Sequence, residues 1–192
     1  LGYICRFDKP RGGKEVLPFT FCRSSDGRTM WRWLGFLKPR PLYGLEALAA
    51  NASANVIIVE GEKAADAGRR LAPNCLVITW PGGSKAIGHV DWSPLEGRKV
   101  LIIPDADQPG RAAAAGSTAS YGVINPGIAQ MLDGIAPGIR VVAPPAGAPD
   151  GWDLAAAPHA VWQLDPPPPL LPSPLPPLPS PPFPSLSSPP PS

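Results

Sequence analysis

Three short apolar runs, NVIIVE (55–60), CLVITW (75–80) and KVLIIP (99–104), constrain this chain more than any other feature. Each has strand length, is rich in β-branched residues and is apolar without alternation, the pattern of a parallel strand covered on both faces. GEKAADAGRRLA (61–72) lies between the first two and has helical composition, with Ala65 and Leu71 able to face a sheet. PGGSKAIG (81–88) reads as a glycine-rich turn into about one helical turn, and DADQPGRAAAAGS (105–117) as a loop opening a helix. Pro109 falls in that helix's first turn, where its missing N–H costs nothing. GIRVVAPP (138–145) reads as a fourth strand. Strands joined by helical connectors imply an α/β fold with a four-stranded parallel sheet flanked by helices and right-handed crossovers. Gly122, Pro126 and Gly127 interrupt residues 116–128, so two pieces or an irregular insertion are expected there.

The flanks differ from this centre. YICRF (3–7) and VLPFTFCR (16–23) have strand character, SSDGR (24–28) carries an Asp-Gly turn, and TMWRW (29–33) alternates like a returning strand. PLYGLEALAA (41–50) reads as a short helix. The expected division is a β-rich segment over 1–50, an α/β domain over 51–160 and a tail over 161–192. Half of the 30 prolines follow Asp165, in a stretch without charge. Such a Pro/Leu/Ser tail cannot bury a core and is expected to be disordered with polyproline II character, whether as an inert extension or as a PxxP ligand. Leu1 stands inside a strand pattern, as in a piece of something longer.

Charge and cysteine content narrow the class. Residues 1–50 carry nine Lys/Arg against four Asp/Glu, whereas the rest carries eight against eleven. A basic arm beside an acidic centre suits a protein that meets a polyanion and holds metal; a solvated basic hairpin gives the same balance. Cys5, Cys22 and Cys75 are odd in number and lack metal-ligand spacing, which supports neither a disulfide framework nor a zinc site and fits a reducing cytoplasm. No apolar run is long enough to span a membrane.

Ligands of open parallel sheets bind beyond the carboxyl ends of the strands. Glu60 and Glu62 follow the first strand; Gly82, Gly83, Ser84 and Lys85 follow the second. Asp105 and Asp107 follow the third, and Asp150 and Asp153 follow the fourth. Crowded carboxylates repel unless a cation neutralises them or one keeps its proton. Hard oxygen donors on a loop suit Mg²⁺ or Mn²⁺. Asp105 and Asp107 can point at one ion while Ala106 faces away, and Glu60 can join them or serve as acid or base. A plain Asp-Pro-Gly turn would look similar in isolation. EGEKAA is no dinucleotide fingerprint, and GGSK lacks Walker A spacing.

In this order, VIIVEGEKAADA (56–67), VLIIPDADQPG (100–110) and PPAGAPDGWDLAAA (144–157) resemble the acidic motifs and closing segment of the Toprim domain. The PGGSKA turn, the GWDLA ending and PLYGLEAL (41–48) just upstream look most like primase–helicase proteins of phages and integrated elements. The resemblance covers roughly residues 3–157. It implies Mg²⁺-dependent (or Mn²⁺-dependent) nucleotidyl transfer making RNA primers on single-stranded DNA, with nucleoside triphosphates as substrates and a replicative helicase domain as partner. It further implies that Glu60 is the acid/base, that Asp105, Asp107 and Asp153 serve the metal, and that Lys63 and Lys85 face phosphates. A Toprim nuclease using the same acids and a non-catalytic nucleic-acid-binding fragment are the alternatives.

MWRWLGFLKPRP (30–41) interleaves Trp31, Trp33 and Phe36 with Arg32, Lys38 and Arg40. Aromatics that stack bases beside cations that meet phosphates would make a single-strand contact surface. A hairpin with its aromatic face packed inward produces the same pattern. His89 and His159 have no partner nearby in sequence and are assigned no role.

Overall fold

The computed structural model describes residues 1–156; the expected tail and His159 lie outside them. An antiparallel sheet comes first: β1 (Gly2–Asp8), β2 (Lys14–Arg23) and β3 (Thr29–Arg32) pair in that order. The Asp-Gly turn at 24–28 closes as expected, with Arg28 N donating to Asp26 Oδ1 and Gly27 N to Ser24 O. A short helix, α1 (Leu45–Ala50), leads into the α/β part.

There the expected elements appear: β4 (Val56–Val59), α2 (Glu62–Leu71), β5 (Leu76–Ile78), β6 (Lys99–Ile103) and α3 (Gln108–Ala115). The irregular stretch becomes a two-residue-per-strand hairpin of β7 (Ser117–Thr118) and β8 (Ile124–Asn125), then a short helix, α4 (Ile128–Met131). Gln130 ties the pieces together, accepting from Gly127 N and donating to Ala115 O, both at 2.9 Å. The last strand is β9 (Gly138–Val141). The sheet is parallel throughout, in the order β5-β4-β6-β9.

The unbroken apolar strands have a simple cause. In β4, Val56 and Ile58 join one buried cluster, and Ile57 and Val59 join the other. In β6, Val100 and Ile102 divide from Leu101 and Ile103 in the same way. Both central strands are thus covered twice, and each fully buried Ile or Val contributes roughly 1.5–3 kcal/mol relative to exposure. Ile58, with no exposed surface, marks the centre; truncating it to Ala would cost about 2–5 kcal/mol.

Helix α2 approaches the sheet through small residues, Ala64, Ala65, Ala67 and Gly68. A Cβ at Gly68 would stand 2.8 Å from Val77 Cγ1 and 3.0 Å from Leu154 Cδ2, so the helix sits as close as a glycine allows. Its last turn carries Arg69 and Arg70, favourable at the negative end of the helix dipole. Arg69 lies over the Tyr43 ring at 4.6 Å and donates to Val77 O, while Tyr43 and Arg69 both bond Asp66 Oδ1. Tyr43 also exchanges backbone hydrogen bonds with Thr79. The segment before α1 is thereby stitched to the β5 edge. Among the described residues the cysteines are unpaired, and no helix is long and apolar enough to cross a membrane.

Candidate functional site

The strand order decides which strand-end residues meet. Strands β4 and β6 are neighbours, with Val59 opposite Ile103, so the chain segments bearing Glu60 and Asp105 leave the sheet side by side. After Glu60 the chain must turn sharply into α2, and Gly61 does so at φ +82°, where a side chain would be strained. The Gly61 N–H donates to the fully buried Thr79 Oγ1 at 2.9 Å. Glu60 is half-buried, and its Oε1 accepts from Ser84 N at 2.9 Å. The glycine-rich loop after β5 therefore supplies a backbone donor to the acid that ends β4.

Asp107 occupies the N-cap of α3, its Oδ1 accepting from Gly110 N at 2.7 Å. Such a cap satisfies one of the four N–H groups that a helix start leaves without partners. Gly110 is needed for space: a Cβ there would lie 2.8 Å from Asp105 O and 3.0 Å from both Asp105 N and Cβ. The first turn of α3 presses against the backbone of the first aspartate. Sequence reasoning treats Gly110 as a turn former; its contact with Asp105 leaves no signature in a single sequence.

The closing segment docks on this loop. Ala106 N donates to Trp152 O at 2.8 Å, and Trp152 and Leu154 are buried in the cluster beneath α2. This brings in Asp153, whose Oδ1 accepts from Ala156 N at 3.0 Å and whose Oδ2 pairs with Lys63 Nζ at 3.4 Å.

Glu60, Asp107 and Asp153 each act on the charge of Asp105. Burial pushes the Asp105 carboxyl up to about 7, with further increments from Glu60, Asp153 and Asp107, while the Lys14 ammonium opposes them. Glu60 is likewise raised, first by burial and then by Asp107, against the Ser84 hydrogen bond and Lys14. Lys14 begins β2, so the N-terminal sheet presents a cation to the acidic edge. The basic balance of residues 1–50 was the only sequence signal for it. Glu62 is raised by burial, but neither it nor the exposed Asp150 contributes to the shift at Asp105.

No family model and no curated protein matches this chain. Among solved structures it is similar to the E. coli primase catalytic core. The match has 21% identity and a TM-score of 0.35, covering 78% of this chain and 51% of that one. The chain thus spans about half the length of the structure it matches.

The expected phosphate-facing cations divide into two kinds. Lys85 is exposed in the 3-10 helix Ser84–His89, next to the residue that binds Glu60, and Arg32 and Lys38 are exposed in the N-terminal segment. Lys63 is spanned to Asp153, and Arg40 turns inward. Its guanidinium donates to Pro81 O at 3.2 Å and packs on Gly82, and its backbone pairs with His89 O and Asp91 N. Arg40 ties the N-terminal segment to the loop after β5, because its stem leaves the chain beside that loop rather than over solvent.

Among the described residues no three His, Cys, Asp or Glu side chains stand close enough to hold a metal ion by themselves. Mg²⁺ needs less than this, being held commonly by one or two carboxylates with waters and substrate phosphates completing the shell. Asp107 keeps its second oxygen outside the helix cap, and Asp105 bears the repulsion that a divalent cation would relieve. This donor set fits such an ion.

Proposed function

We propose that the chain is a Toprim-type domain of the primase kind, which joins nucleotides into RNA primers on single-stranded DNA within a replication protein of a mobile element. The observation that carries this reading is that the adjacent parallel strands β4 and β6 end in Glu60 and in Asp105 and Asp107, while the Ala106–Trp152 hydrogen bond brings the segment bearing Asp153 to the same loop. Three separate motifs supply those acids, spread over nearly a hundred residues. Ordinary turn chemistry does not call for that meeting.

Asp105 and Asp107 would hold Mg²⁺ or Mn²⁺. A cation there neutralises charge on a nucleoside triphosphate and its leaving pyrophosphate and favours the attacking 3′-hydroxyl. Glu60 holds Oε1 against Ser84 N–H, so its proton chemistry falls to Oε2, where an affinity for protons raised by burial suits a general base. In this reading Asp153 would hold Lys63 at the rim, and Lys85 and Lys14 would meet phosphates arriving over the acidic edge. A helicase domain beyond this chain and a cytoplasmic setting belong to the same proposal.

The test is a turnover assay on the full chain with a single-stranded template, the four ribonucleoside triphosphates and Mg²⁺ or Mn²⁺. Template-dependent short RNA, lost on the order of 100-fold or more in Asp105→Asn/Asp107→Asn, supports the proposal. Template cleavage without triphosphates would assign the same acids to a Toprim nuclease. No turnover, together with no cation binding by calorimetry, would leave a nucleic-acid-binding fragment.

A further inference from the structure

One face of the N-terminal sheet is aromatic, and its rings are largely exposed. Strand alternation and register place Tyr3 and Phe7 of β1, Phe19 and Phe21 of β2, and Trp31 of β3 on the same side. Trp33 joins them just past β3. The rings form a continuous ladder: Tyr3 stacks on Trp31 at 5.4 Å and Trp31 on Phe19 at 5.1 Å, and Phe19 meets Trp33 at a tilt with centroids 4.5 Å apart. Phe7 and Phe21 extend it at 5.8 and 5.4 Å.

The expectation that such a face packs inward fails here. Tyr3 and Trp33 keep 58% and 57% of their surface exposed, and Phe7 and Phe21 nearly half. The opposite face is covered only at one end, where Thr20 is buried with its hydroxyl on Leu34 O and the Phe36 ring lies against Gly2, whereas Val16 and Met30 on that face stay exposed. Phe36 thus covers that end, and the other aromatics are left outside.

Cations flank the ladder. Arg23 shares its face at the end of β2, and Arg11 stands in the turn between β1 and β2 at the far end. Lys9, Arg6 and Arg28 are paired with Glu15, Asp8 and Asp26, whereas Arg11 and Arg23 have no acid at ion-pair distance among the described residues. Exposed aromatic rings, three of them already stacked, with cations at the ends match the chemistry of unpaired bases on a charged backbone. A duplex hides its base faces and cannot use such a surface.

We infer that this aromatic face is a stacking platform for single-stranded nucleic acid, separate from the acidic edge and independent of metal. The inference rests on the proposed function only for its biological sense. Binding would be tolerant of sequence, since every base has a π face. Lys14, paired with Asp8, falls on the face opposite the ladder, so the platform is set apart from the acidic edge.

The experiment is fluorescence anisotropy of a labelled oligothymidylate of about twelve nucleotides with the full chain, in EDTA so that catalysis plays no part. Wild type should bind the single strand in preference to a duplex. Tyr3→Ala/Trp33→Ala should lose roughly tenfold in affinity with an unchanged salt slope, whereas Arg11→Gln/Arg23→Gln should flatten that slope. Trp33→Phe, which keeps a ring beside Phe19, should restore most of the binding, and circular dichroism shows whether each variant is folded. Unchanged affinity in folded Tyr3→Ala/Trp33→Ala overturns the inference. So does binding of a peptide of residues 166–192 to this face with no binding of oligonucleotide, which would make it a proline-recognition surface. A failed primer assay leaves the binding result standing, and failed binding leaves the acidic centre untouched.

Discussion

Replacing Asp105 with Asn should make the protein more stable while removing its proposed chemistry. The aspartate is half-buried and its proton affinity is raised from an ordinary 3.8 to about 7, first by burial and then by Glu60, Asp153 and Asp107. Because the folded value lies above the unfolded one, the folded state favours the protonated form. The associated stability is complete below about pH 4 and is lost as pH rises through 7. A rise from 3.8 to about 7 corresponds to a ceiling of about 4 kcal/mol at neutral pH. Solvent screening at a half-exposed group reduces this to roughly 1–2 kcal/mol. Asn keeps the shape and removes the charge, so at about pH 7.5 the variant should melt roughly 3–6 °C higher than wild type. At about pH 4, where wild-type Asp105 is already neutral in the folded state, most of that difference should vanish. Thermal denaturation followed by circular dichroism, in EDTA, reads both. An Asn variant that is no more stable at pH 7.5, or equally stabilised at both pH values, would refute the crowding of charge at this site. Gained stability with lost turnover is the behaviour of a functional site rather than of a structural turn.

Other outcomes follow from the same geometry. Gly110→Ala should destabilise the chain by about 1–3 kcal/mol and displace Asp105, because the added methyl meets the aspartate backbone rather than a movable side chain; chemical denaturation and the turnover assay check the two halves. Thr79→Val removes the acceptor for Gly61 N–H in a site without solvent and should cost about 1–3 kcal/mol despite its similar volume. Lys14→Gln removes the cation that opposes the rise of Asp105 and Glu60, so the acidic limb of the rate profile should move to higher pH, and a profile that stays put would show that Lys14 does not act on the edge.

Much of the architecture was legible in the residues. Continuous β-branched runs foretold strands buried on both faces, and β4 and β6 divide between two apolar clusters for that reason. The interruption by Gly122, Pro126 and Gly127 foretold irregular structure, which the short β7–β8 hairpin supplies. The acids were visible as strand-end residues, since the end of an apolar run is a local feature.

What a single sequence does not encode is which ends become neighbours. Order β5-β4-β6-β9 sets Glu60 beside Asp105, and one backbone hydrogen bond, Ala106 to Trp152, carries Asp153 to the same place. The roles of Lys14 and Gly110 arose from contacts between elements, which have no periodicity to read. The aromatic hairpin makes the contrast clearest. Alternation alone determined that Phe19 and Phe21 share one face of their strand and Trp31 and Trp33 one face of theirs, because strand geometry is local. Only the tertiary structure decided that the two sets meet on one side and stay exposed, because that depends on the register of β2 with β3 and on what packs against the sheet.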